Sequence, residues 1–175
     1  MDRGEGGPTQ RIPVIRIFDI FSPGCSGKYV LPTEHVGPIT SATISPSQPG
    51  MVYVGHEEGY ISLWLLDTDD GYPQCIEVTR VGMSDVLCLE GVKDRLWAGG
   101  RNGMISAYDV SQQPWLVTNC WNAHPGLPVM RLIMNYYGIE STERLCVASV
   151  GRDENLRLWD GLLGSDCVGV SPALT

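Results

Sequence analysis

Apolar positions along the chain come in short runs, all far below the roughly 20 residues a membrane-spanning helix needs. Four of these runs share one form: Ile15-Arg16-Ile17-Phe18-Asp19, Ile61-Ser62-Leu63-Trp64-Leu65, Ile105-Ser106-Ala107-Tyr108-Asp109 and Leu156-Arg157-Leu158-Trp159-Asp160. Each puts an aromatic fourth among β-prone residues, which predicts a strand. The aromatics Phe18, Trp64, Tyr108 and Trp159 stand 46, 44 and 51 residues apart. A period in the forties belongs to four-stranded propeller blades, whereas most helical repeats are shorter and space their apolar residues by about 3.6.

The segments around each aromatic complete a meander. Before it lie Met51-Val52-Tyr53-Val54, Arg95-Leu96-Trp97-Ala98 and Leu145-Cys146-Val147-Ala148, each followed by a turn rich in Gly, Asn or Asp at 55–59, 99–103 and 151–155. After the aromatic strand come polar turns at 67–71 and 111–114, then the strands Cys75-Ile76-Glu77-Val78 and Trp115-Leu116-Val117-Thr118. A shorter apolar run opens each unit, at 39–44, 86–89 and 129–133, and no stretch predicts a helix. The expected architecture is all-β, a partial β-propeller of about three and a half four-stranded blades. Its parts are a disordered N-terminus at 1–12, the outer strands of an incomplete blade at 13–34, blades at 35–81 and 82–124, and a blade at 125–175 truncated at its last strand.

Composition narrows the function classes. Twelve Lys+Arg against 20 Asp+Glu give a net charge of −8, which excludes a sequence-independent grip on nucleic acid or on an anionic membrane. The first residues lack the apolar core of a signal peptide, and a cytoplasmic protein without direct membrane insertion is expected. Six cysteines show no C-x-x-C pair, and none of the three histidines has zinc-ligand spacing, so neither a disulfide framework nor a metal or cofactor is expected.

Within this frame Ala123-His124, followed by Ser149, Asp153 and Trp159-Asp160, resembles a WD repeat. The resemblance implies a tetrad of His124, Ser149, Asp153 and Trp159 that ties the blade together by hydrogen bonds. The unit at 35–81 offers His35 and Trp64, with Glu58 where the family has Asp and Leu65 after the Trp. The unit at 82–124 offers Asn102 and Tyr108-Asp109 and has no His at its start. The runs at 95–99, 103–109, 113–115, 121–124, 147–151 and 156–163, above all Trp159-Asp160-Gly161-Leu162-Leu163, resemble the WD-repeat region preceding the catalytic domain of fungal and plant inositol-polyphosphate 5-phosphatases. The likeness covers roughly 35–168 and implies a non-catalytic, N-terminal interaction platform. It also implies a separate, magnesium-dependent domain for phosphatidylinositol dephosphorylation, whose Trp-x-Gly-Asp-x-Asn and Pro-x-Trp-Cys-Asp-Arg signatures do not occur in the chain.

Other groupings carry less. The loop 99–103 lacks the Lys-Ser/Thr and the helix of a phosphate-binding P-loop, and is a hairpin turn. Counted from Asp67, an EF-hand would need Gly and Glu where Tyr72 and Val78 stand. Ser149, His124 and Asp153 superficially compose a hydrolytic triad, but the tetrad assigns them a structural role, and no catalytic residue is expected. The candidate binding rim is His56, Glu57, Glu58, Arg101 and Arg152 with the segment 122–128. Tyr136 and Tyr137, on a connection at the opposite face, are placed to meet a protein or peptide partner. Three and a half blades leave open edges, so self-association through them is expected, with the chain a piece of a larger propeller.

Overall fold

The computed structural model describes residues 15–17, 28–30, 36–45, 47–66, 68–137, 144–162 and 164–172. The expectation for 1–12, most of 13–34, and the residues Cys25, His35 and Asp67 lie outside them. Strands β1 (Ile15–Ile17) and β2 (Lys28–Val30) pair antiparallel. Blade 1 follows as β3 (Ile39–Ile44), β4 (Met51–His56), β5 (Tyr60–Leu65) and β6 (Gln74–Arg80). Blade 2 is β7 (Val86–Val92), β8 (Arg95–Gly100), β9 (Met104–Asp109) and β10 (Leu116–Asn122). Blade 3 is β11 (Val129–Tyr137), β12 (Arg144–Gly151), β13 (Asn155–Asp160) and β14 (Gly164–Pro172). Within each blade every strand bonds its neighbour in sequence, so each blade is an antiparallel meander. The one helical element among the described residues is a 3-10 turn, Glu57–Gly59.

The register repeats as faithfully as the topology. Each blade shifts register between its first two strands at the same point, Ile39/Ser41, Val86/Cys88 and Val129/Arg131. Bulges of this kind sharpen strand twist, which lets successive sheets fan around an axis. Opposite one another in register stand Val54 and Ser62 in blade 1, Ala98 and Ser106 in blade 2, and Ser149 and Arg157 in blade 3. These pairs make corresponding positions in the three blades readable to the residue.

Blades pack face to face. Strand β7 lies between β3 and β11, and its Val86, Cys88, Leu89 and Val92 are all buried. Between blades 1 and 2 the core holds Tyr53, Ile61, Leu89, Leu96 and Tyr108; between blades 2 and 3 it holds Trp97, Ile105, Val129, Leu132, Val147 and Trp159. Aromatic contacts join the blades: Tyr53 meets Trp115 edge-on at 5.7 Å between blades 1 and 2, and Trp121, itself edge-on to Trp97 within blade 2, meets Trp159 of blade 3 at 5.4 Å between ring centroids. The fit is close: a Cβ on Gly55 would come within 2.9 Å of Val86, and one on Gly99 within 2.7 Å of Val129. Among the described residues the far sides of the outer blades keep apolar side chains exposed, Ile44 on β3 and Ile133 on β11, although Val54 and Trp64 on the far side of blade 1 are buried.

Two expectations are corrected. The last blade is not truncated: β14 pairs with β13 from Gly164 to Pro172, because polar and β-prone residues continue the ladder to the end of that strand. Tyr136 and Tyr137 do not sit on a connection. They extend β11 and pair with Leu145 and Arg144 of β12; Gly138, Ile139 and Glu140 lie outside the described residues.

The half-covered faces of β3 and β11 predict association of the chain when expressed alone. On sizing chromatography the wild type is expected to run larger than a monomer, and Ile133→Glu on β11 to shift it toward monomer. A single sharp monomer peak for the wild type would contradict this.

Candidate functional site

The WD-like tetrad of blade 3 is assembled from four elements. Trp159 on β13 donates its indole N–H to Ser149 Oγ on β12 at 2.8 Å, and Ser149 Oγ lies 2.7 Å from His124 Nε2. His124, on the loop before β11, places Nδ1 2.9 Å from Asp153 Oδ1 in the turn after β12. Since indole N–H only donates and a carboxylate only accepts, the protons run one way: Trp159 to Ser149, Ser149 to His124 Nε2, His124 Nδ1 to Asp153. Burial raises the Asp153 carboxyl, but bonds from His124 and Asn155 outweigh it and leave the pKa below its ordinary value. Ser149 and His124 have no exposed surface, so no substrate reaches the hydroxyl that a triad would use as nucleophile.

Blade 1 builds the same relay from other positions. Trp64 Nε1 donates to Ser62 Oγ at 2.8 Å, Ser62 Oγ lies 2.7 Å from His56 Nε2, and His56 Nδ1 is 2.9 Å from Gly37 O. The hydroxyl has crossed from the second strand to its register partner on the third. The imidazole has moved from the loop before the blade to the end of its second strand, so the relay ends on a backbone carbonyl instead of a carboxylate. His56 is therefore not a rim residue: it has no exposed surface, and burial pushes its pKa below 6.5 despite the bond to Gly37. Sequence position 56 corresponds to Gly151, where a Cβ would lie 2.2 Å from His124 Nδ1. One space is filled by an imidazole in both blades, reached from opposite sides.

The signal for this was Ser62-Leu63-Trp64, a hydroxyl two residues before the aromatic. It recurs as Ser106-Ala107-Tyr108, where the Tyr108 hydroxyl bonds the Ser106 side chain. Asn102 of blade 2 occupies the position of Asp153, and its Oδ1 accepts from Met104 N at 3.1 Å as Asp153 Oδ1 accepts from Asn155 N at 3.1 Å.

The remaining rim candidates share one face. Glu58 and Arg152 are exposed, Glu57 is half-buried, and Arg101 points outward while its Nε bonds Asp85 Oδ2 at 2.7 Å. Asp85 also accepts from Glu58 N at 2.8 Å, tying the blade 1 turn to the blade 2 turn, and these bonds hold its carboxyl below its ordinary range. The glycines before β5 and β9, with φ of 81° and 83°, admit the next loop: Gly82 O and His124 O sit where any Cβ would stand. The loops thus locked in place expose Met83, at 79%, and Leu127, at 39%. Met83 escaped sequence reasoning because a lone methionine in a polar loop carries no pattern. Tyr136 is exposed on β11, away from this cluster. Among the described residues no group of three His, Cys, Asp or Glu is placed to hold a metal ion, no helix is long and apolar enough to cross a membrane, and Cys75, Cys88, Cys120 and Cys146 are free thiols.

Solved structures share this arrangement. Sqt1 of Chaetomium thermophilum, bound to the N-terminus of a ribosomal protein, matches 77% of the chain and 34% of its own with a TM-score of 0.64 at 21% identity. A chain of the mitotic checkpoint complex matches 91% of this chain and 45% of its own, with a TM-score of 0.66 at 17% identity. The fold is an arc of a WD-repeat-like propeller. In sequence the chain is 27% identical over 144 residues to a probable inositol polyphosphate 5-phosphatase of Schizosaccharomyces pombe, 79% of the chain but 12% of that protein. It is 23% identical over 129 residues to a DENN domain and WD repeat-containing protein of Arabidopsis thaliana, 74% of the chain and 10% of that protein. The chain therefore spans about a tenth of the curated relatives it matches. No family model matches it.

Two outcomes test the relays. His124→Ala strands Ser149 and Asp153 and is expected to destabilise the chain by about 3 kcal/mol, read as a lowered melting temperature. Ser62→Ala should likewise lower it, and adding Val54→Ser, which restores a hydroxyl at the blade 3 position, should recover part of the loss. The second outcome concerns pH. His56 has a folded pKa below its unfolded 6.5, so the unfolded chain takes up a proton that the folded chain refuses. Stability is therefore expected to fall as pH drops below about 6.5, by a mechanism separate from carboxylate protonation near pH 4. Melting curves from neutral to mildly acidic buffer check this, and His56→Gln should flatten the response.

Proposed function

We propose that the arc is a protein-interaction platform whose working surface is the rim carrying Met83, Arg101, Leu127 and Arg152. The observation that carries the reading is this pairing of exposed apolar side chains with cations, on loops fixed by interblade hydrogen bonds. Met83 and Leu127 supply apolar anchors, and Arg152 supplies a charge-assisted donor for a peptide carboxylate or backbone carbonyl. Sqt1, whose structure includes a bound protein N-terminus, supports a peptide as the kind of partner such a scaffold takes. Glu57 and Glu58 belong to the same rim as its acidic border.

The finer reading is that this platform is the N-terminal, non-catalytic part of a cytoplasmic inositol-polyphosphate 5-phosphatase-like protein. The match of 27% over 144 residues supports it. A second reading rests on that same match: the longer protein hydrolyses the 5-phosphate of inositol phosphates or phosphoinositides in a magnesium-dependent domain, and the blades hold the enzyme to its partner. The two are separated by assaying the longest product of the gene for magnesium-dependent phosphate release; its absence would leave the platform alone.

A photo-crosslinking residue placed at Met83 or Leu127 is expected to capture a discrete protein in cells, while the same residue at Ile76 on β6 captures none. Arg152→Glu should reduce the yield severalfold without lowering the melting temperature. Equal labelling from all three positions would sink the rim as the binding face.

A further inference from the structure

Blade 2 differs from its neighbours at one point that neither the tetrads nor the rim account for. The loop entering blade 3 places His124, and the corresponding position in the loop entering blade 2 is Gly82. The equivalence is geometric: Gly59 faces Gly82 O just as Gly103 faces His124 O, and Val81 N bonds Gly59 O as Ala123 N bonds Gly103 O. A Cβ on Gly82 would meet nothing within 4 Å. The other route to this space is also unused, because Gly100 stands where blade 1 has His56, and a Cβ there would meet chiefly Asn102 Oδ1, at 2.6 Å. The result is a cavity of about 220 Å³ lined by Gly82, Gly100, Asn102, Ser106, Tyr108 and Cys120.

The two polar ends of the relay nevertheless persist around it. In blade 1 the imidazole meets Ser62 Oγ and in blade 3 it meets Asp153 Oδ1; in blade 2 the residues at those two positions are Ser106 and Asn102, and both line the cavity. Asn102 Oδ1 lies 2.6 Å from the Cβ position of Gly100, as Asp153 Oδ1 lies 2.6 Å from that of Gly151. Ser106 Oγ now donates to Cys120 Sγ at 3.2 Å, a weak acceptor it can exchange for a ring nitrogen. Tyr108, smaller than the Trp of the other two blades, bonds Ser106 from the core side.

From these matches we infer that the blade 2 cavity is a binding site for a neutral imidazole-type ring supplied from outside the chain, its N–H donated to Asn102 Oδ1 and its bare nitrogen accepting from Ser106 Oγ. The volume exceeds one such ring, which leaves room for the substituent that carries it. The same chemistry is presented by a free azole or by a histidine side chain on a partner peptide. The site shares Met83 and Asp85 with the rim, but it goes beyond the platform reading and does not rest on it, since it is defined by blade-to-blade correspondence.

The test titrates the full chain with imidazole at about pH 8, where the ring is neutral, reading saturation-transfer NMR and melting temperature together. Saturable binding and a melting temperature that rises with ligand are expected, with 1-methylimidazole, which has no N–H, at least severalfold weaker. Gly82→His should raise the melting temperature by itself and abolish the response, and Ser106→Ala should weaken it without loss of fold. A short Ala-His-Pro-Gly peptide, copied from 123–126, distinguishes the sources: tighter binding than imidazole supports a protein-borne ring, weaker binding a small molecule. An unresponsive wild type, or equal responses from wild type and Gly82→His, overturns the site.

Discussion

The buried indole N–H groups of Trp64 and Trp159 each find an acceptor, unlike Trp121 Nε1, which is buried without one, and much of this structure follows from how that demand is met. Trp64, packed on the far face of blade 1, and Trp159, between blades 2 and 3, are both buried, and an unmatched N–H there costs about 1–3 kcal/mol against a net stability of roughly 5–15 kcal/mol for a whole domain. A serine hydroxyl accepts from each indole, but a buried hydroxyl must donate in turn, and so must the imidazole that accepts from it. The relay can end only at a group that purely accepts. Blade 3 ends it on Asp153 and blade 1 on Gly37 O. The shared requirement is the direction of donation, not the identity of the residues that supply each step.

That distinction explains what the sequence displays. The aromatic period near 45 and the strand–turn–strand runs marked out three blades, the last of them expected to stop short, because burial between sheets imposes alternation and turns impose Gly and Asn. The blade 3 tetrad was legible because its residues stand at the positions the WD pattern names. The blade 1 relay was not: its hydroxyl sits on the cross-strand partner of the expected position, and its imidazole enters from the strand end. His56 therefore reads as a polar turn residue before Glu57-Glu58, although it has no exposed surface. A linear pattern fixes positions along the chain, whereas the packing constraint fixes a volume that several positions can fill. Tyr136 and Tyr137 misled for a related reason, since strand pairing with Leu145 and Arg144 runs past the apolar core that patterning detects.

Packing also separates the blades by role. Blade 2 is covered on both faces and tolerates no side chain at Gly99, where Val129 of the next blade presses in. Blade 3 has Arg131 and Val150 opposite each other at that register point, and its far face keeps Ile133 exposed. A further blade seated there would need a different first strand from those of blades 2 and 3. The open faces are thus chemically unequal, β3 ending in bare Ile44 and β11 carrying an arginine among apolar residues.

The same interblade bonds that satisfy buried groups hold the rim. Asp85 takes one bond from the turn of blade 1 and an ion pair from the turn of blade 2, so Arg101 and the Met83 loop are fixed relative to each other before any partner arrives. Ordering an interface side chain on binding costs about 0.5–1.5 kcal/mol, and a surface ordered in advance avoids that loss. With a net charge of −8 the chain repels acidic partners at long range, yet Arg152 and Arg101 give this one face a local positive edge. If the rim is the working surface proposed above, selectivity there would follow from short-range fit to Met83 and Leu127 rather than from attraction at a distance, a segment being chosen by shape and held by a few charge-assisted bonds.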